Sequence, residues 1–502
     1  MIPQREADAP FLVRSARPRI ACAPLSALAG GLAVLLLALA GRYGYHRDEL
    51  YFLRAGREAA FGYVDQPPLT PLLAAAMDGI FPGSLLALRL PSALMAGAVV
   101  VLTGLIAREF GGGCSAQLLA AASMAVSAVL LLTGHLLSTT TVDLLAWAAL
   151  SWLLVRALRD GGTTWLLVGG VAGIGLQNKL QPAFLLAAVV IGILAVGPRQ
   201  VLRSAWPWLG GLVALAIWTP NLVWQAANGW PQLRLAEAIA AGSSGTSEPW
   251  YLFLPFQLVL VGPLLVPVWV LGWWRLAREP ALRTWRPFAV AYVVLSALFL
   301  LTGGKPYYLA GLYPVLLAAG AGPVVDWARR NAGRTRAVVA ALVLSLAVNG
   351  VLMLPIVPVE RLGDTPIADV NYDAGETVGW PRLAAAVEEV RADLPAGERV
   401  AVLAANYGEA GAVDRFAPAL GPAHSGHNSY GTWGPPPEDA TTVIVIGYPE
   451  QRLARWFGSL ELSARVDNGV DLDNDEQGAP IWVATQRRAP WSEIWPELRR
   501  LG

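Results

Sequence analysis

The sequence predicts a polytopic α-helical membrane protein with a small α/β domain at its C-terminal end. Of its 502 residues, 55% are hydrophobic and 15% are charged, and the mean hydropathy is +0.48, whereas soluble domains carry about 25% charged residues. Long apolar runs fill the chain up to about Pro358, and the remainder has the composition of a globular protein. We therefore expect an N-terminal tail at 1–23, a membrane region at 24–358 and an α/β domain at 359–502.

Eleven apolar runs are long enough, or nearly so, to cross the roughly 30 Å hydrocarbon core of a bilayer. They lie at about 24–41, 85–106, 116–134, 141–158, 164–178, 182–196, 206–224, 251–274, 287–302, 306–325 and 336–357. If the N-terminus is cytoplasmic, every cytoplasmic segment carries arginine, as the positive-inside rule requires. The tail contributes Arg5 and Arg14 to this pattern. An odd number of spans then places the C-terminal domain outside a plasma membrane.

Charge and cysteine content exclude two other classes of protein. The net charge of +1 gives no nucleic-acid footprint. Cys22 and Cys114 both fall in segments predicted to be cytoplasmic, so we expect no disulfide framework. The expected surroundings are a lipid bilayer and its headgroups.

The first outer loop, at 42–84, is too long to be a simple connector. Its stretch at 48–61 is amphipathic at helical spacing, which predicts a helix lying along the membrane interface. Prolines after Asp65-Gln66 enforce a turn before a second helix at 69–80. The acidic pair Asp48 and Glu49 fits either a helix cap or a functional site.

Asp143 opens the fourth predicted span and invites the same two interpretations. It could cap the helix, but a carboxylate at the bilayer edge is costly and usually functional. Asp48 and Asp143 could meet as a general base and its orienting partner, or they could hold a divalent cation.

Lysine placement is a further signal. Of 37 basic residues only Lys179 and Lys305 are lysine, and both fall at predicted outer helix ends. They could simply snorkel towards the interface. Alternatively, an ammonium beside Tyr307 and Tyr308 suits a phosphate leaving group, because it neutralises the charge that grows as the bond breaks.

Other polar side chains also segregate to the predicted outer side. Arg89 lies just inside the second span and should face a cavity or the headgroups. Gln225 and Asn228 lie between two tryptophans, a pattern typical of an interfacial aromatic belt or of a sugar site. The full set of expected substrate contacts is Asp65, Gln66, Gln225, Asn228, Tyr307 and His427.

The order of these motifs resembles the GT-C membrane glycosyltransferases, specifically the superfamily of protein O-mannosyltransferases and lipid A aminoarabinose transferases. The resemblance covers most of the membrane region. The motifs that carry it are Asp48-Glu49, the Gln-Pro-Pro-Leu turn at 66–69, Arg-Leu-Pro-Ser-Ala-Leu at 89–94, Thr-Val-Asp at 141–143, and Lys-Pro-Tyr-Tyr-Leu with Leu-Tyr-Pro at 305–314.

The resemblance implies an enzyme that moves a sugar from a polyprenyl-phosphate carrier to a cell-envelope acceptor, which is a glycan, a lipid or a protein, with inversion at the anomeric carbon. Asp48 would be the base, Glu49 its supporting residue and Asp143 the second acid of the pattern. The donor phosphate would meet Lys305 and Tyr308, with Arg89 or Lys179 assisting. The C-terminal domain departs from the repeat-rich module of eukaryotic protein mannosyltransferases, which weakens the case for a protein acceptor.

The predicted outer domain alternates helices and strands. Helical periodicity covers 380–394, 407–416 and 451–458, and buried strands cover 399–404, 441–446 and 481–485. The alternation predicts a small α/β layer. Its long polar loop at 424–433, which contains His427, is either a structural turn or a surface that selects the acceptor.

A multi-span secondary transporter or a glycolipid flippase is the alternative function. Such proteins usually show an internal repeat and helices broken near the membrane centre. The sequence shows neither, and its polar groups cluster at one face, which favours chemistry on a lipid headgroup.

Overall fold

The structure is a computed structural model that describes residues 17–240 and 249–502. Most of the predicted tail, including Arg5 and Arg14, therefore lies outside the described residues.

Helices fill the region predicted to be membranous. They are α1 Cys22–Leu39, α2 Arg47–Arg57, α3 Leu69–Ile80, α4 Leu85–Glu109, α5 Cys114–Ala125, α6 Ala128–Gly134, α7 Thr139–Asp160, α8 Thr164–Leu176, α9 Gln181–Val196, α10 Ala205–Ala227, α11 Pro231–Ala240, α12 Phe253–Val261, α13 Val266–Arg278, α14 Arg286–Leu301, α15 Tyr313–Arg329 and α16 Ala332–Met353. Short 3-10 helices precede five of them, at Arg199–Arg203, Trp250–Leu252, Pro263–Leu265, Pro280–Trp285 and Pro306–Leu312.

Within the described residues, seven helices are long and apolar enough to cross a membrane, and nine spans result if each of two bent pairs is one span. The two remaining predicted spans correspond to α8 and α9, which are helices of 13 and 16 residues. A polytopic helical membrane protein is thus confirmed, whereas the count of eleven stays a prediction.

The two bends have local causes. The sharper one, of 84°, separates α12 from α13 at Gly262-Pro263. Gly262 has φ +94°, a conformation that favours glycine, and proline lacks the N–H that would continue the helix. The other bend, of 61°, separates α5 from α6.

Small residues allow close helix packing in the membrane region. A Cβ atom on Gly272 of α13 would meet the carbonyl oxygen of Leu316 in α15, and one on Gly320 would meet that of Val268. The two helix backbones are therefore in direct contact, as is common where membrane helices cross.

Helix α3 occupies the predicted residues, but α2 differs from the prediction in its end and its surroundings. It ends at Arg57 rather than near 61. It also does not lie along an open interface, because Leu50, Tyr51 and Phe52 share one core with the C-terminal sheet. The amphipathic pattern was correct, but its apolar face packs against protein rather than lipid.

The C-terminal region forms a five-stranded mixed sheet with flanking helices. The helices are α17 Ile367–Val370, α18 Tyr372–Gly375, α19 Trp380–Ala392, α20 Tyr407–Phe416, α21 Glu450–Leu453 and α22 Trp491–Leu498. The strands are β1 Val400–Ala404, β2 His424–Ser425, β3 Thr442–Ile446, β4 Phe457–Arg465 and β5 Pro480–Arg487. Their order is β2-β1-β3-β5-β4, with β1 parallel to β2 and β3, and β5 antiparallel to β3 and β4.

The α/β layer and the predicted strands β1, β3 and β5 are confirmed. The predicted helix at 451–458 is correct at its start but too long: α21 covers Glu450–Leu453, and β4 begins at Phe457. Strand β4 lies at the sheet edge and most of its residues are not buried. An edge strand lacks the apolar run that marks a buried strand, so β4 could not be recognised from hydropathy.

Candidate active site

Asp48 lies in the first turn of α2, and a capping box closes the N-terminus of this helix. His46 is the N-cap residue and its Nδ1 accepts a hydrogen bond from the backbone N–H of Asp48 at 3.1 Å. Glu49 completes the box by accepting the backbone N–H of His46 at 2.8 Å. The capping interpretation therefore applies to Glu49, and the carboxylate of Asp48 remains available to the cavity beside it.

A polar cavity of about 120 Å³ lies where α2, the following turn, the start of α7 and the end of α8 meet. Its lining contains four of the predicted site residues, Asp48, Asp65, Gln66 and Lys179. The other lining residues are Tyr51, Phe52, Thr139, Asn178 and Tyr407. Residues far apart in sequence thus converge on one site.

Both lysines belong to this neighbourhood. The Nζ of Lys179 lies 3.3 Å from Thr140 Oγ1, and 5.2 and 5.3 Å from the ring centroids of Tyr307 and Tyr308. Lys305 interacts electrostatically with Lys179 and with Asp48. Burial, reinforced by the charge of Lys179, lowers the pKa of Lys305 to about 8. The carboxylate of Asp48 and the ammonium groups of Lys179 and Lys305 therefore lie within electrostatic range of one another, although Lys305 does not line the cavity.

Asp143 faces the same lysine. The cap of α7 is Ser138, whose side chain accepts the N–H of Thr141, so Asp143 is not a helix cap. Its carboxylate is buried, and Oδ1 has no hydrogen-bond partner in the described part of the chain. Lys179 interacts electrostatically with both Asp143 and Asp48 and links the two acids.

Asp65 is held by its neighbours at the edge of the cavity. Its Oδ1 accepts hydrogen bonds from Tyr51 Oη at 2.5 Å and from Ser429 Oγ at 3.3 Å. Burial raises its pKa to about 6. Gln66 beside it is buried, and its Nε2 has no hydrogen-bond partner among the described residues. A buried donor without a partner is available to a ligand.

Glu49 and Arg89 do not line the cavity, which corrects the expectation that Arg89 faces it. The two side chains are 0% and 1% exposed and form a bidentate ion pair. Arg89 Nε and Nη2 lie 2.8 and 2.7 Å from the two oxygens of Glu49. Nη1 and Nη2 also donate to the carbonyls of Ala40 and Gly44, both at 2.6 Å. The guanidinium is thus fully engaged within the protein.

Three other predicted substrate contacts also lie away from the cavity lining. Gln225 is buried and its Oε1 accepts the backbone N–H of Gln232 at 3.3 Å. Asn228 donates to the carbonyl of Trp224 at 2.8 Å. His427 lies behind Tyr407, with ring centroids 4.8 Å apart, and its Nε2 contacts the Gly502 carbonyl oxygen at 2.8 Å.

Comparisons with known proteins identify similar sequences. The family model for dolichyl-phosphate-mannose-protein mannosyltransferases matches residues 65–224. An undecaprenyl phosphate-α-4-amino-4-deoxy-L-arabinose arabinosyl transferase from Pseudomonas fluorescens Pf0-1 is 28% identical over 296 residues, 54% of this chain and 50% of that protein. Its counterpart from strain Pf-5 is 29% identical, over 58% of this chain and 54% of that protein. The chain thus spans about half the length of these curated relatives.

Solved structures resemble this chain over most of its length. ArnT from Cupriavidus metallidurans bound to undecaprenyl phosphate superposes with a TM-score of 0.60 at 14% identity, covering 91% of this chain and 97% of that one. The oligosaccharyltransferase AglB from Archaeoglobus fulgidus, in complex with an inhibitory peptide and a dolichol phosphate, gives 0.51 at 12% identity, covering 84% and 69%. The chain has the GT-C fold. The resemblance drawn from the motif order is confirmed, and the protein is a multi-pass membrane protein.

The cavity of this GT-C fold contains residues that the sequence analysis did not assign, chiefly Tyr51 and Tyr407. Tyr51 could have been predicted from the sequence, because it lies three residues after Asp48 and therefore on the same face of a helix. Tyr407 had no such signal, since it lies 359 residues from its partner Asp48.

The described residues contain no group of three or more His, Cys, Asp or Glu side chains that could hold a metal ion. Asp48 and Asp143, the pair considered for a divalent cation, interact instead with Lys179. The two carboxylates therefore share the electrostatic field of one ammonium group.

A larger, mostly apolar crevice of about 840 Å³ lies at the opposite end of α15. Its charged residues include Arg275 and Glu279, which form an ion pair with each other. It contains neither lysine and none of the predicted site residues. The small polar cavity, rather than this crevice, is the candidate active site of the GT-C fold.

Proposed function

We propose that this chain is an inverting glycosyltransferase that moves a sugar from a polyprenyl-phosphate carrier to an acceptor on the outer face of the membrane. The observation that carries this proposal is the shared cavity of Asp48 and Lys179, with Lys305 in electrostatic range of both. A carboxylate suits proton removal, and ammonium groups suit a departing phosphate. The named activities of the curated relatives and the carrier bound to ArnT support the same donor class.

The chemistry follows from the positions of these groups. The carboxylate of Asp48 accepts the proton of the acceptor hydroxyl, and that oxygen attacks the anomeric carbon from the face opposite the phosphate. The bond between carbon and phosphate oxygen breaks, its electron pair goes to the phosphate, and the configuration inverts. Lys305, assisted by Lys179 and by the hydroxyl of Tyr308, binds the phosphate and offsets its growing charge.

The remaining candidate residues have two kinds of role: some contact the substrates, and others support the structure of the site. We assign Asp65, Gln66 and Tyr307 to the sugar or the acceptor, because Asp65 and Gln66 line the cavity and the Tyr307 ring packs against Lys179. Asp143 holds Lys179 in position. Arg89 and Glu49 act as a structural pair rather than as phosphate ligands.

The proposed topology places the N-terminus in the cytoplasm and residues 359–502 outside the plasma membrane. It follows from the arginine-bearing cytoplasmic segments and the odd number of predicted spans. The acceptor then belongs to the cell envelope. The relatives are glycosyltransferases by name, which favours the enzyme over a transporter or a flippase.

The test is to incubate the purified protein with a panel of polyprenyl-phosphate sugars and to follow which donor is consumed. We expect Asp48→Asn to lower turnover by about 10²- to 10⁴-fold, the typical contribution of a general base. Asp78→Asn is the matched control, because Asp78 lies on the neighbouring helix α3 and pairs with Arg415 outside the cavity.

Full turnover in Asp48→Asn would remove Asp48 from the mechanism. If the wild-type protein consumes no donor of the panel but reconstituted vesicles take up solute, the enzyme proposal fails and the transporter takes its place.

A further inference from the structure

We propose that the C-terminal domain completes the active site, with Tyr407 as the residue that positions Asp48 for proton removal. The inference rests on the proposed function, since it assigns a partner to the proposed base. Tyr407 begins α20 of the C-terminal domain, and its hydroxyl donates a hydrogen bond to Asp48 Oδ1 at 2.8 Å. The same side chain lines the cavity.

Packing fixes the ring of Tyr407 on several sides. The ring centroids of Tyr51 and His427 each lie 4.8 Å from that of Tyr407. The guanidinium of Arg47 lies 4.9 Å from the ring centroid. A side chain confined in this way has little rotamer freedom left, so its hydroxyl is pre-organised.

The backbone that carries Tyr407 is also fixed. A capping box closes the first turn of α20: Asn406 accepts the N–H of Glu409, and Glu409 accepts the N–H of Asn406, at 2.9 and 3.1 Å. Such a box fixes the direction in which the first helical residue leaves the turn.

Two glycines allow α20 to approach α2 closely. A Cβ on Gly411 would lie 2.9 Å from the Cβ of Leu50, and one on Gly408 would lie 3.0 Å from the Cβ of Arg47. Their spacing of three residues places both on the face of α20 that meets α2. The distance between Tyr407 and Asp48 is therefore set by contact between the two helices.

The hydrogen bond orients the carboxylate. One oxygen of Asp48 is held by Tyr407, and in the described parts of the chain its other oxygen, Oδ2, accepts no hydrogen bond. That free oxygen is the one that can receive the proton of the acceptor. Loss of the hydroxyl would let the carboxylate rotate away from the reactive geometry, which is costly because catalysis is sensitive to misplacement of about 1 Å.

The experiment compares Tyr407→Phe with Tyr430→Phe in the intact protein. Both remove a tyrosine hydroxyl that donates to a carboxylate of the outer side, but Tyr430 bonds Asp414 at 2.8 Å and does not line the cavity. We expect Tyr407→Phe to lower kcat by about tenfold or more, the value of one hydrogen bond to a charged group, with the donor KM within about twofold of wild type. Tyr430→Phe should keep the wild-type kcat.

A double variant separates positioning from general damage to the fold. In the Asp48→Asn background the hydroxyl has no base to orient, so adding Tyr407→Phe should lower the residual rate by less than about twofold. A purely structural role would lower the rate in both backgrounds alike.

Gly411→Ala tests the same contact without touching the hydroxyl, and it replaces Tyr407→Phe if that variant does not fold. We expect a similar fall in kcat, whereas Gly79→Ala, at an exposed helical glycine with open space around it, should behave as wild type. An unchanged kcat in Tyr407→Phe, or a raised donor KM alone, overturns the positioning role and leaves the proposed function standing. A wild-type protein that transfers no sugar overturns both.

Discussion

Replacing Glu49 by glutamine should destabilise the protein strongly without changing substrate affinity. Each oxygen of Glu49 accepts two hydrogen bonds. Oε1 accepts from Arg89 Nε and from the backbone N–H of Leu137 at 2.9 Å, and Oε2 accepts from Arg89 Nη2 and from the backbone N–H of His46. All four partners are donors, so the amide group of a glutamine faces two donors in either of its orientations.

The magnitude follows from this count. Two hydrogen bonds to a charged group are lost, at about 1.5–3 kcal/mol each. The guanidinium of Arg89 is left buried without its counter-charge, and breaking a buried ion pair costs about 3–5 kcal/mol. The first route gives a loss of about 3–6 kcal/mol in the free energy of unfolding and the second a loss of about 3–5 kcal/mol. Either loss is a large part of the roughly 5–15 kcal/mol that stabilises a typical protein.

The free energy of unfolding can be measured by denaturant titration of the purified protein in mild detergent, followed by tryptophan fluorescence. Glu58→Gln is the control, because Glu58 pairs with Arg54 on the same helix at 2.9 Å but is 43% exposed. Such a pair contributes at most about 1 kcal/mol. If Glu49→Gln unfolds like wild type and instead raises the donor KM, the structural assignment of the pair is refuted and Arg89 returns as a phosphate ligand.

Two further predictions concern the lysine and the topology. The donor KM should rise as the pH increases through about 8, because the lowered pKa of Lys305 means that its ammonium is lost there. Lys305→Arg should lack this rise near pH 8, since a guanidinium remains protonated. An identical rise in both proteins would exclude Lys305 as its source. Cys22 and Cys114 are free and exposed, so a membrane-impermeant maleimide should label both in inside-out vesicles and neither in intact cells or spheroplasts; labelling from outside would reverse the proposed orientation.

Hydropathy and periodicity predicted the architecture well because they report local burial. The helix at 69–80 and the strands β1, β3 and β5 all carry apolar patterns that their surroundings satisfy. Strand β4 was not predicted, because an edge strand buries few residues. The surroundings of α2 could not be predicted for another reason: an amphipathic pattern shows that a helix has an apolar face but not whether lipid or protein covers it.

Candidate site residues could be predicted from the sequence where a charge is energetically costly, but not where a residue reaches the cavity through a long-range contact. Asp48, Lys179 and Asp65 could be selected as candidates because an ionisable group at a membrane edge is energetically costly and usually has a function. Arg89 met the same criterion, but its guanidinium forms a buried ion pair with Glu49. Tyr407 could not be predicted from the local sequence, because an aromatic residue at the start of a helix is common in globular domains. Only the fold shows that it contacts Asp48.

The adjacent acids Asp48 and Glu49 show why one sequence motif can hold two unrelated roles. Successive residues of an α-helix point about 100° apart, since a turn contains about 3.6 residues. On α2 this rotation turns Glu49 into the protein, towards Arg89, and leaves Asp48 at the cavity. The ion pair of Glu49 anchors the first turn of α2 to α4, and that anchor fixes the direction in which the neighbouring carboxylate points. Asp48 is therefore held from two sides: by the membrane helices through Glu49 and by the C-terminal domain through Tyr407. A change that loosens either contact should lower the rate of sugar transfer even when every group that touches the substrate is intact.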